Sequence, residues 1–281
     1  MPELPEVETV RRRLEPVLVG RRFERVEILD FRLVRPYEPA EVAAELDGER
    51  VAALERRGKY LIVRFETGRV LLIHLRMTGS LRHVANGTAS GTLPDDPHRR
   101  AVVRLDDGSD VSYRDVRRFG TWQLFEPGEL EPYLSARVGD EPLDALFTAA
   151  RLAERLAGRR APVKAALLDQ RTLAGMGNIY VDEALWRARI HPLRSARGLD
   201  RAELRRLHRA VRAALEHGIA RQGSTLRDYA LPDGGSGSMQ DEFRVYGRGG
   251  EPCDRCGTPI AKIRVAGRGT WFCPECQQDS L

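Results

Sequence analysis

Two short apolar runs joined by a turn signal occupy residues 59–77, which read KYLIVRFETGRVLLIHLRM. Each run is rich in Ile, Leu and Val, which favour strands, and the Glu-Thr-Gly break between them is typical of a tight hairpin. Similar runs recur on both sides, one of them with a second hairpin break at Asp-Asp-Gly, at residues 21–29, 50–57, 101–116 and 121–126. The chain up to about residue 135 therefore predicts an antiparallel β-sandwich or barrel.

One helix is predicted ahead of these strands, in residues 4–19 (LPEVETVRRRLEPVLV). Acidic residues come first in this segment and arginines later, an order that complements the helix dipole. Gly20 then ends the segment. The apolar residues recur at helical spacing, at Val7, Val10, Leu14, Val17 and Leu18.

Beyond residue 147 the hydrophobic period changes from that of strands to that of helices. The tract PDGGSGS at 232–238 predicts a mobile loop from its composition. Helices are predicted at residues 148–158, 161–171, 178–190 and 199–223. The predicted fold class is α+β with two domains, divided into a β-sandwich over 1–135, a linker over 136–147, a helical part over 148–240 and a ribbon over 241–281.

The composition describes a folded globular protein, with 42% hydrophobic and 31% charged residues among 281. A net charge of +5 and a pI near 9.2 favour a polyanionic partner, although charge alone does not specify a nucleic acid. No apolar stretch approaches the roughly 18 residues that span a bilayer, and no leader pattern is evident. We therefore expect a cytoplasmic protein without a membrane partner.

Lysine is rare in this chain, since Lys59, Lys164 and Lys262 are the only lysines among 46 basic residues. Such a bias reflects genome composition and carries no function by itself. Where nearly every cation has become arginine, however, a remaining lysine is a candidate for a role that arginine cannot fill, such as losing a proton. Chance survival is the alternative for each of the three.

All four cysteines lie in two Cys-x2-Cys pairs near the C-terminus: Cys253, Cys256, Cys273 and Cys276. This spacing is typical of a tetrahedral zinc site on a short ribbon. Two disulfides are the alternative, which a cytosolic location disfavours. With four protein ligands and no open position, one zinc ion would be structural. Arg264 and Arg268 lie between the pairs, where arginines contact phosphates or solvate a loop.

The chain begins MPELPEVE, with Pro2 beside the carboxylates of Glu3, Glu6 and Glu8. A proline in the first turn of a helix is common, because its missing N–H has no partner there in any case. That explanation accounts for a proline but not for its place at residue 2.

Six motifs occur in a fixed order along the whole chain, and together they resemble the bacterial formamidopyrimidine-DNA glycosylase (8-oxoguanine DNA glycosylase) family. The sister family, endonuclease VIII, opens MPEGPE and lacks an RRFG stretch, so the sequence favours the purine-lesion branch. The six are MPELPEVE (1–8), RRGKYL (56–61), HLRMTGSLR (74–82), YRDVRRFG (113–120), GMGNIYVDE (175–183) and VYGRGGEPCDRCG (245–257).

The resemblance implies a monomeric base excision repair enzyme that acts on damaged double-stranded DNA as both glycosylase and abasic-site lyase. Two alternatives stay open: an endonuclease VIII-like enzyme for oxidised pyrimidines, and a non-catalytic zinc-ribbon protein that binds nucleic acid.

The resemblance also implies catalytic roles. Once Met1 is removed, the ring nitrogen of Pro2 is the nucleophile, and Glu3 is the general acid. Lys59 binds phosphate and assists β-elimination, and Arg268 on the ribbon is assigned to δ-elimination. Glu6 is either catalytic or a first-turn helix acid.

The resemblance implies DNA-binding roles for a larger set of residues. Some of these residues lie in a segment that corresponds to the family's helix-two-turn-helix. The implied DNA contacts are His74, His98, Arg117, Arg159, Lys164, Asn178, Tyr246 and Lys262. The implied void-filling residues, which occupy the gap left by an extruded nucleotide, are Met77, Arg117 and Phe119. Without the resemblance, Met77 and Phe119 would be predicted as core residues.

The sequence departs from the family at three places, which leaves the lesion preference open. Thr78 stands where some relatives carry an acid near the lesion. Arg99 follows His98 where several relatives keep a second histidine. The tract GGSGSM lies in the variable loop that covers the extruded base.

Overall fold

The computed structural model describes residues 1–86, 95–226 and 229–278. Two compact units divide the chain: the first holds residues 1–134 together with 221–238, and the second holds 135–220 together with 239–281. Among the described residues, none of the helices combines the length and the apolar character needed to cross a membrane.

Two four-stranded antiparallel sheets form the first unit. One sheet has the order β1-β6-β7-β5 and the other the order β2-β3-β4-β8. The Glu-Thr-Gly and Asp-Asp-Gly breaks are the predicted hairpin turns, between β3 and β4 and between β6 and β7. The strands are β1 Phe23–Ile28, β2 Val51–Arg57, β3 Tyr60–Phe65, β4 Val70–His74, β5 Gly79–Val84, β6 Arg99–Leu105, β7 Asp110–Asp115 and β8 Thr121–Phe125.

The core of this unit lies between the two sheets and beneath helix α1 (Leu4–Leu18). Residues of both sheets meet there, as where the rings of Phe23 and Phe65 pack edge to face at 5.3 Å. The helical period of α1 is confirmed, since its apolar positions Val7, Val10 and Leu14 are almost completely buried. The sandwich with an N-terminal helix is therefore confirmed.

The sequence pattern missed several short elements of the first unit. Strand β5 was not predicted, and three further helices accompany α1 among the described residues of this unit. Each of these helices is too short to show a helical period clearly. They are α2 Phe31–Val34, α3 Pro39–Leu46 and α4 Leu130–Ser135.

The strand registers bring several loops to one end of the sandwich. Tyr60, His74 and Thr121 form a row across one sheet, at the start of β3, the end of β4 and the start of β8. In the other sheet Gly79, which begins β5, pairs with Asp115, which ends β7. The turn before β3, the β4–β5 loop and the β7–β8 loop therefore lie together at this end, which we call the loop end.

The second unit contains the predicted helices and a two-stranded hairpin. The hairpin strands β9 (Ala261–Val265) and β10 (Arg268–Phe272) are joined by the two-residue turn Ala266-Gly267, in which both residues have positive φ. That conformation matches the twist of a two-residue hairpin. The helices are α5 Ala149–Leu156, α6 Val163–Leu168, α7 Asn178–Ala188 and α8 Arg201–Ala220.

Segment 221–238 groups with the first unit, whereas the sequence placed it with the helical part. The reason is a set of hydrogen bonds to helix α1 and the β5 region, including one from His83 N to Pro232 O at 2.9 Å. The tract predicted to be a loop forms a hydrogen-bonded turn from Leu231 to Gly235. Composition identified the loop but could not show which part of the fold it packs against.

Candidate active site

The chain start is held against the N-terminus of helix α1. Pro2 is buried and Glu3 is 3% exposed, whereas Met1 is 45% exposed. Glu3 is the N-cap residue of α1, and its backbone N–H donates to Glu6 Oε2 at 2.9 Å. The backbone next to Pro2 is therefore fixed by a carboxylate at the third helical position, which is half of a capping box.

Glu6 has a second structural contact through its other oxygen. Glu6 Oε1 accepts from the backbone N of Ser224 at 2.8 Å and from Ser224 Oγ at 3.2 Å. Tyr229 adds a hydrogen bond from its hydroxyl to Glu6 O at 3.3 Å. Both carboxylate oxygens of Glu6 thus accept hydrogen bonds from the protein, and they join the start of α1 to segment 221–238. The structure therefore favours the structural role that the sequence left open for Glu6.

Glu8 ties helix α1 to strand β2. Its carboxylate contacts Arg11 at 3.1 Å, Arg12 at 2.7 Å and Arg56 at 3.0 Å. Burial acts to raise the pKa of Glu8, but hydrogen bonds from Arg11 and Arg12 and the charge of Arg56 outweigh it, so the pKa lies below its ordinary value. Glu8 therefore stays ionised and anchors the helix.

These contacts also fix the direction of α1 along β2. Arg11 donates to Leu54 O at 3.4 Å, and Glu8, one turn earlier, contacts Arg56. Moving one turn toward the start of α1 thus moves two residues along β2 toward the turn at 58–59. The N-terminus of α1 therefore lies at the loop end of the sandwich.

Lys59 and His74 occupy neighbouring positions at the loop end. Lys59 is 6% exposed and follows Gly58, whose φ of +57° lets the chain turn between β2 and β3. Burial, with smaller effects from the charges of Arg76 and Lys59, lowers the pKa of His74 to about 3. Since His74 Nδ1 accepts from Arg76 N at 2.9 Å, the neutral ring carries its proton on Nε2. His74 is thus neutral, and its Nε2–H is a hydrogen-bond donor of the kind that a phosphate contact requires.

The predicted void-filling residues lie on two adjacent loops of the loop end. Arg117 and Phe119 are exposed, and the Arg117 guanidinium lies over the Phe119 ring at 4.9 Å. Met77 is half-buried on the β4–β5 loop. An exposed phenylalanine, 52% accessible, is not a core residue, so the structure excludes the core position that the sequence pattern alone predicts for Phe119.

His98 precedes β6 and is half-buried at the same end. Its carbonyl accepts from Asp115 N at 2.9 Å, and its backbone N–H donates to Asp96 at 2.8 Å. The structure therefore gathers every predicted site residue of the first unit at one end of one sandwich.

In the second unit, Lys164 is at the centre of a buried polar cluster. Its side chain is fully buried, and Nζ lies 2.7 Å from Asp182 Oδ1 and 3.0 Å from Gly269 O. Asn178 Nδ2 donates to the same Gly269 carbonyl at 2.9 Å. Trp271 N donates to the other oxygen of Asp182 at 3.0 Å. Lys164, predicted as a DNA contact, therefore holds the hairpin against helices α6 and α7 instead of lying on the surface.

Glu183, the next residue of α7, binds the segment that leads into the ribbon. Its Oε1 accepts three backbone N–H bonds at 2.9 to 3.1 Å, from Arg244, Val245 and Tyr246. Glu183 is fully buried, and its Oε2 contacts Arg187 at 2.9 Å. Tyr246, a predicted phosphate contact, is thereby fixed by its backbone, and its ring packs on Trp271 at 4.7 Å.

The remaining predicted DNA contacts of this unit differ in accessibility. Arg268 is exposed at the start of β10, and Lys262 is exposed on β9 with Nζ 5.2 Å from the centre of the Trp271 ring. Arg159 is half-buried and pairs with Asp169 at 3.0 Å. The hairpin thus presents Lys262 and Arg268 as surface cations.

The four cysteines are gathered as a metal site requires. Their sulfurs all lie within 4.8 Å of one another, with Cys256 Sγ 3.4 Å from Cys273 Sγ and 3.5 Å from Cys276 Sγ. Thiolates around tetrahedral zinc are about 3.8 Å apart, since each Zn–S bond is about 2.3 Å. Four soft donors with no open position fit one structural zinc ion, which confirms the zinc prediction.

Zinc removal provides a test, because the three tryptophans report on different places. Trp186 Nε1 lies 3.4 Å from Cys253 Sγ and Trp271 is on β10, whereas Trp122 is in the core of the sandwich. We expect a chelator to change the fluorescence of Trp186 and Trp271 and to abolish DNA binding, because a ribbon of this size depends on its metal to fold. A variant that keeps only Trp122 should show unchanged emission. Unchanged DNA affinity after verified zinc loss would contradict this.

Local sequence patterns do not identify the residues that hold these sites in place. Asp182 and Glu183 lie in the GMGNIYVDE motif, where two adjacent acids among mostly apolar residues of α7 are a possible sign of burial. Thr78 and Asp115, both buried at the loop end, were not identified as a pair.

Comparisons with known proteins agree with this geometry. Three family models match: the formamidopyrimidine-DNA glycosylase N-terminal domain over 1–122, its H2TH domain over 138–230, and the zinc finger found in FPG and IleRS over 250–278. Formamidopyrimidine-DNA glycosylase of Symbiobacterium thermophilum is 51% identical over 278 residues, which cover 99% of this chain and 89% of that protein.

Solved structures are also similar over nearly the whole chain, two of them as complexes with DNA. One is a complex between a Lactococcus lactis FPG mutant and a Fapy-dG containing DNA, with a TM-score of 0.90, 41% identity, and coverage of 99% of this chain and 100% of that chain. The other is MutM in complex with carbocyclic 8-oxo-G containing DNA, with a TM-score of 0.89, 40% identity and the same coverage. The chain belongs to the formamidopyrimidine-DNA glycosylase family.

Proposed function

We propose that this protein is a base excision repair enzyme that removes oxidised purines from double-stranded DNA and then cleaves the strand as an abasic-site lyase. It acts as a monomer in the cytoplasm on 8-oxoguanine and formamidopyrimidine lesions. The observation that carries the proposal is the grouping of Pro2, Glu3, Lys59 and His74 at the loop end, on a chain whose relatives are named for this activity.

The first chemical step is attack by the amine of Pro2. Removal of Met1, which is exposed, converts the ring nitrogen into a secondary amine. An α-amino group titrates near about 8, so a useful fraction is neutral at physiological pH. The nitrogen lone pair forms a bond to C1′ of the sugar, the damaged base leaves with the electrons of the glycosidic bond, and Glu3 serves as general acid and proton shuttle at the sugar.

Strand cleavage follows from the product of that attack. When the sugar opens, the C1′–N bond becomes an iminium, which carries a positive charge because proline is a secondary amine. The iminium acidifies the C2′ hydrogen, whose loss expels the 3′-phosphate in β-elimination. We assign to Lys59 the binding of phosphate and assistance to this step. A second elimination expels the 5′-phosphate, and we assign it to Arg268.

Other side chains hold the DNA. His74 contributes a neutral N–H donor, and Asn178 and Tyr246 contact phosphate from the second unit. His98, Arg117, Arg159 and Lys262 supply further DNA contacts, whereas the buried Lys164 contributes through its hold on the hairpin. The four cysteines hold zinc, which keeps the ribbon folded and takes no part in the chemistry. Met77, Arg117 and Phe119 fill the gap when the lesion is extruded.

A cleavage assay on matched duplexes tests the proposal. The substrates carry 8-oxoguanine opposite cytosine, 8-oxoguanine opposite adenine, formamidopyrimidine, thymine glycol or no lesion. We expect cleavage of the purine lesions with phosphate at both ends of the gap. Preferred cleavage of thymine glycol would assign the enzyme to oxidised pyrimidines instead. DNA binding without cleavage of any duplex would indicate a non-catalytic protein.

Glu3→Gln separates the two activities. The substitution removes a proton donor but keeps the size of the side chain, so base removal should slow by about 10² to 10⁴-fold, the usual contribution of a general acid. Cleavage at a preformed abasic site needs no departing base and should be far less affected. Single-turnover rates on lesion and abasic duplexes provide the comparison. An equal loss on both substrates would assign Glu3 a role other than protonation for base release.

A further inference from the structure

A chain of buried and partly buried hydrogen bonds joins the two loops that carry Met77, Arg117 and Phe119. Arg117 N donates to Thr78 Oγ1 at 3.0 Å, and Thr78 Oγ1 donates in turn to Asp115 Oδ1. Gly120 N donates to the other oxygen, Asp115 Oδ2, at 2.7 Å. Thr78 is 5% exposed and Asp115 is 1% exposed. The carboxylate of Asp115, at the end of β7, therefore holds Gly120 at the other end of the β7–β8 loop. Through Thr78 it also holds the β4–β5 loop.

The direction of each bond in this chain is fixed. The carboxylate of Asp115 accepts from Gly120 N through one oxygen, and the Thr78 hydroxyl gives its proton to the other oxygen. Its lone pairs then face Arg117 N, which can only donate. A hydroxyl performs both tasks, and a side chain without one leaves Arg117 N and the buried Asp115 Oδ1 without these hydrogen bonds.

The two loops also pack without spare room. A Cβ added to Gly79 would lie 2.3 Å from the Tyr113 hydroxyl oxygen, and one added to Gly120 would lie 1.7 Å from it. Both loops therefore close directly over Tyr113, which is fully buried. The backbone on both sides of the hydrogen-bond chain is closely packed in this way. Moving a loop to replace a lost hydrogen bond would therefore cost packing energy.

We propose that Thr78 and Asp115 are positioning residues that hold Met77, Arg117 and Phe119 in the arrangement that fills the gap left by an extruded nucleotide. The inference rests on the proposed function, since it concerns the same reaction. A side chain inserted into the duplex as a wedge must keep neighbouring bases apart against their stacking energy. It can do so only if the loop that carries it is rigid. Thr78 and Asp115 supply that rigidity through their hydrogen bonds to Arg117 N and Gly120 N.

The test compares duplex and single-stranded substrates. Thr78→Val keeps the shape of the side chain and removes the hydroxyl. We expect base removal from an 8-oxoguanine:cytosine duplex to slow about tenfold, equivalent to about 1.4 kcal/mol. Removal of the same lesion from a single strand should change less than about twofold, because no partner strand leaves a gap to fill. Thr78→Ser, which restores the hydroxyl, should recover the duplex rate.

Thr67→Val is the matched control. Thr67 donates to the Glu49 carboxylate at 2.8 to 2.9 Å, in the same unit but at the other end of β4. It should lower the melting temperature about as much as Thr78→Val while leaving the duplex rate unchanged. A duplex defect in Thr67→Val equal to that of Thr78→Val would overturn the proposal, since general destabilisation would explain both.

A fluorescent base gives a second readout that does not depend on cleavage. With 2-aminopurine opposite the lesion, insertion of the wedge should unstack the probe and raise its emission in stopped-flow mixing. Thr78→Val should reduce or slow this rise, and Thr78→Ser should restore it. An unchanged rise, or equal losses on duplex and single strand, would overturn the positioning role. If the parent protein cleaves no lesion duplex at all, the proposed function fails instead.

Discussion

Adding a short Gly-Ser extension ahead of Pro2 is expected to abolish covalent trapping of the protein on DNA. If the Pro2 amine is the nucleophile, borohydride added during the reaction reduces the iminium and leaves one protein–DNA adduct per lesion. The extension converts the amine into an amide, whose nitrogen lone pair is delocalised into the carbonyl. Trapping and strand cleavage should therefore fall by at least about 10³-fold, as when other enzymes lose their nucleophile. Denaturing gels and single-turnover rates measure both effects.

Two controls separate the amine from the bulk of the extension. The same Gly-Ser sequence added after residue 281 should leave trapping intact. Pro2→Gly keeps a free amine and should retain part of the trapping. Peptide mapping of the parent adduct should place the DNA on Pro2. Full trapping with a blocked N-terminus, or an adduct on Lys59, would defeat the assignment and leave Pro2 as an ordinary first-turn proline.

Local sequence patterns predicted much of this fold because they depend on near neighbours. The hairpin at 66–68 needs only a glycine between two apolar runs, and the cysteine spacing defines a zinc ribbon without reference to the rest of the chain. The helix at 4–18 follows from a period of apolar residues. Each of these predictions is confirmed, and so is the family that the motifs indicated.

The supporting contacts could not be predicted because they join residues far apart in the sequence. Lys164 and Gly269 are 105 positions apart, and Thr78 and Asp115 are 37 apart. The rarity of lysine marked Lys164 as unusual, but composition does not distinguish an exposed ammonium from a buried one. The grouping of segment 221–238 with the first unit could not be predicted for the same reason, since Ser224 and its partner Glu6 are 218 positions apart.

Replacing Lys164 by methionine is expected to destabilise the second unit by about 3–5 kcal/mol, the usual cost of leaving one member of a buried ion pair alone. Methionine fills a similar volume, so the loss comes from charge and hydrogen bonds more than from packing. Burial already raises the pKa of Asp182, against the opposing effect of Lys164. Without the ammonium, Asp182 has to be protonated or remain as an unpaired buried charge, and Gly269 O loses one of its two donors.

The double variant Lys164→Met, Asp182→Asn distinguishes charge from structure. Asparagine still accepts from Trp271 N but needs no counter-charge, so the double variant should be more stable than Lys164→Met alone. Lys262→Met is the control, since that lysine is exposed and its contact with the Trp271 ring accounts for at most about 1 kcal/mol. Urea unfolding measures all three. Equal stability of Lys164→Met and Lys262→Met would show that the buried pair does not hold the unit together.

The same variants connect this cluster to strand cleavage. Gly269 is next to Arg268, and its carbonyl is held by Lys164 and Asn178, so loosening it lets the start of β10 move. Because δ-elimination is assigned to Arg268 and β-elimination to the first unit, Lys164→Met should accumulate the β-product while base removal changes less. Product ratios on an abasic duplex, measured below the melting temperature of the variant, show the effect. An unchanged ratio of β- to δ-product would mean that Arg268 works without the buried pair behind it.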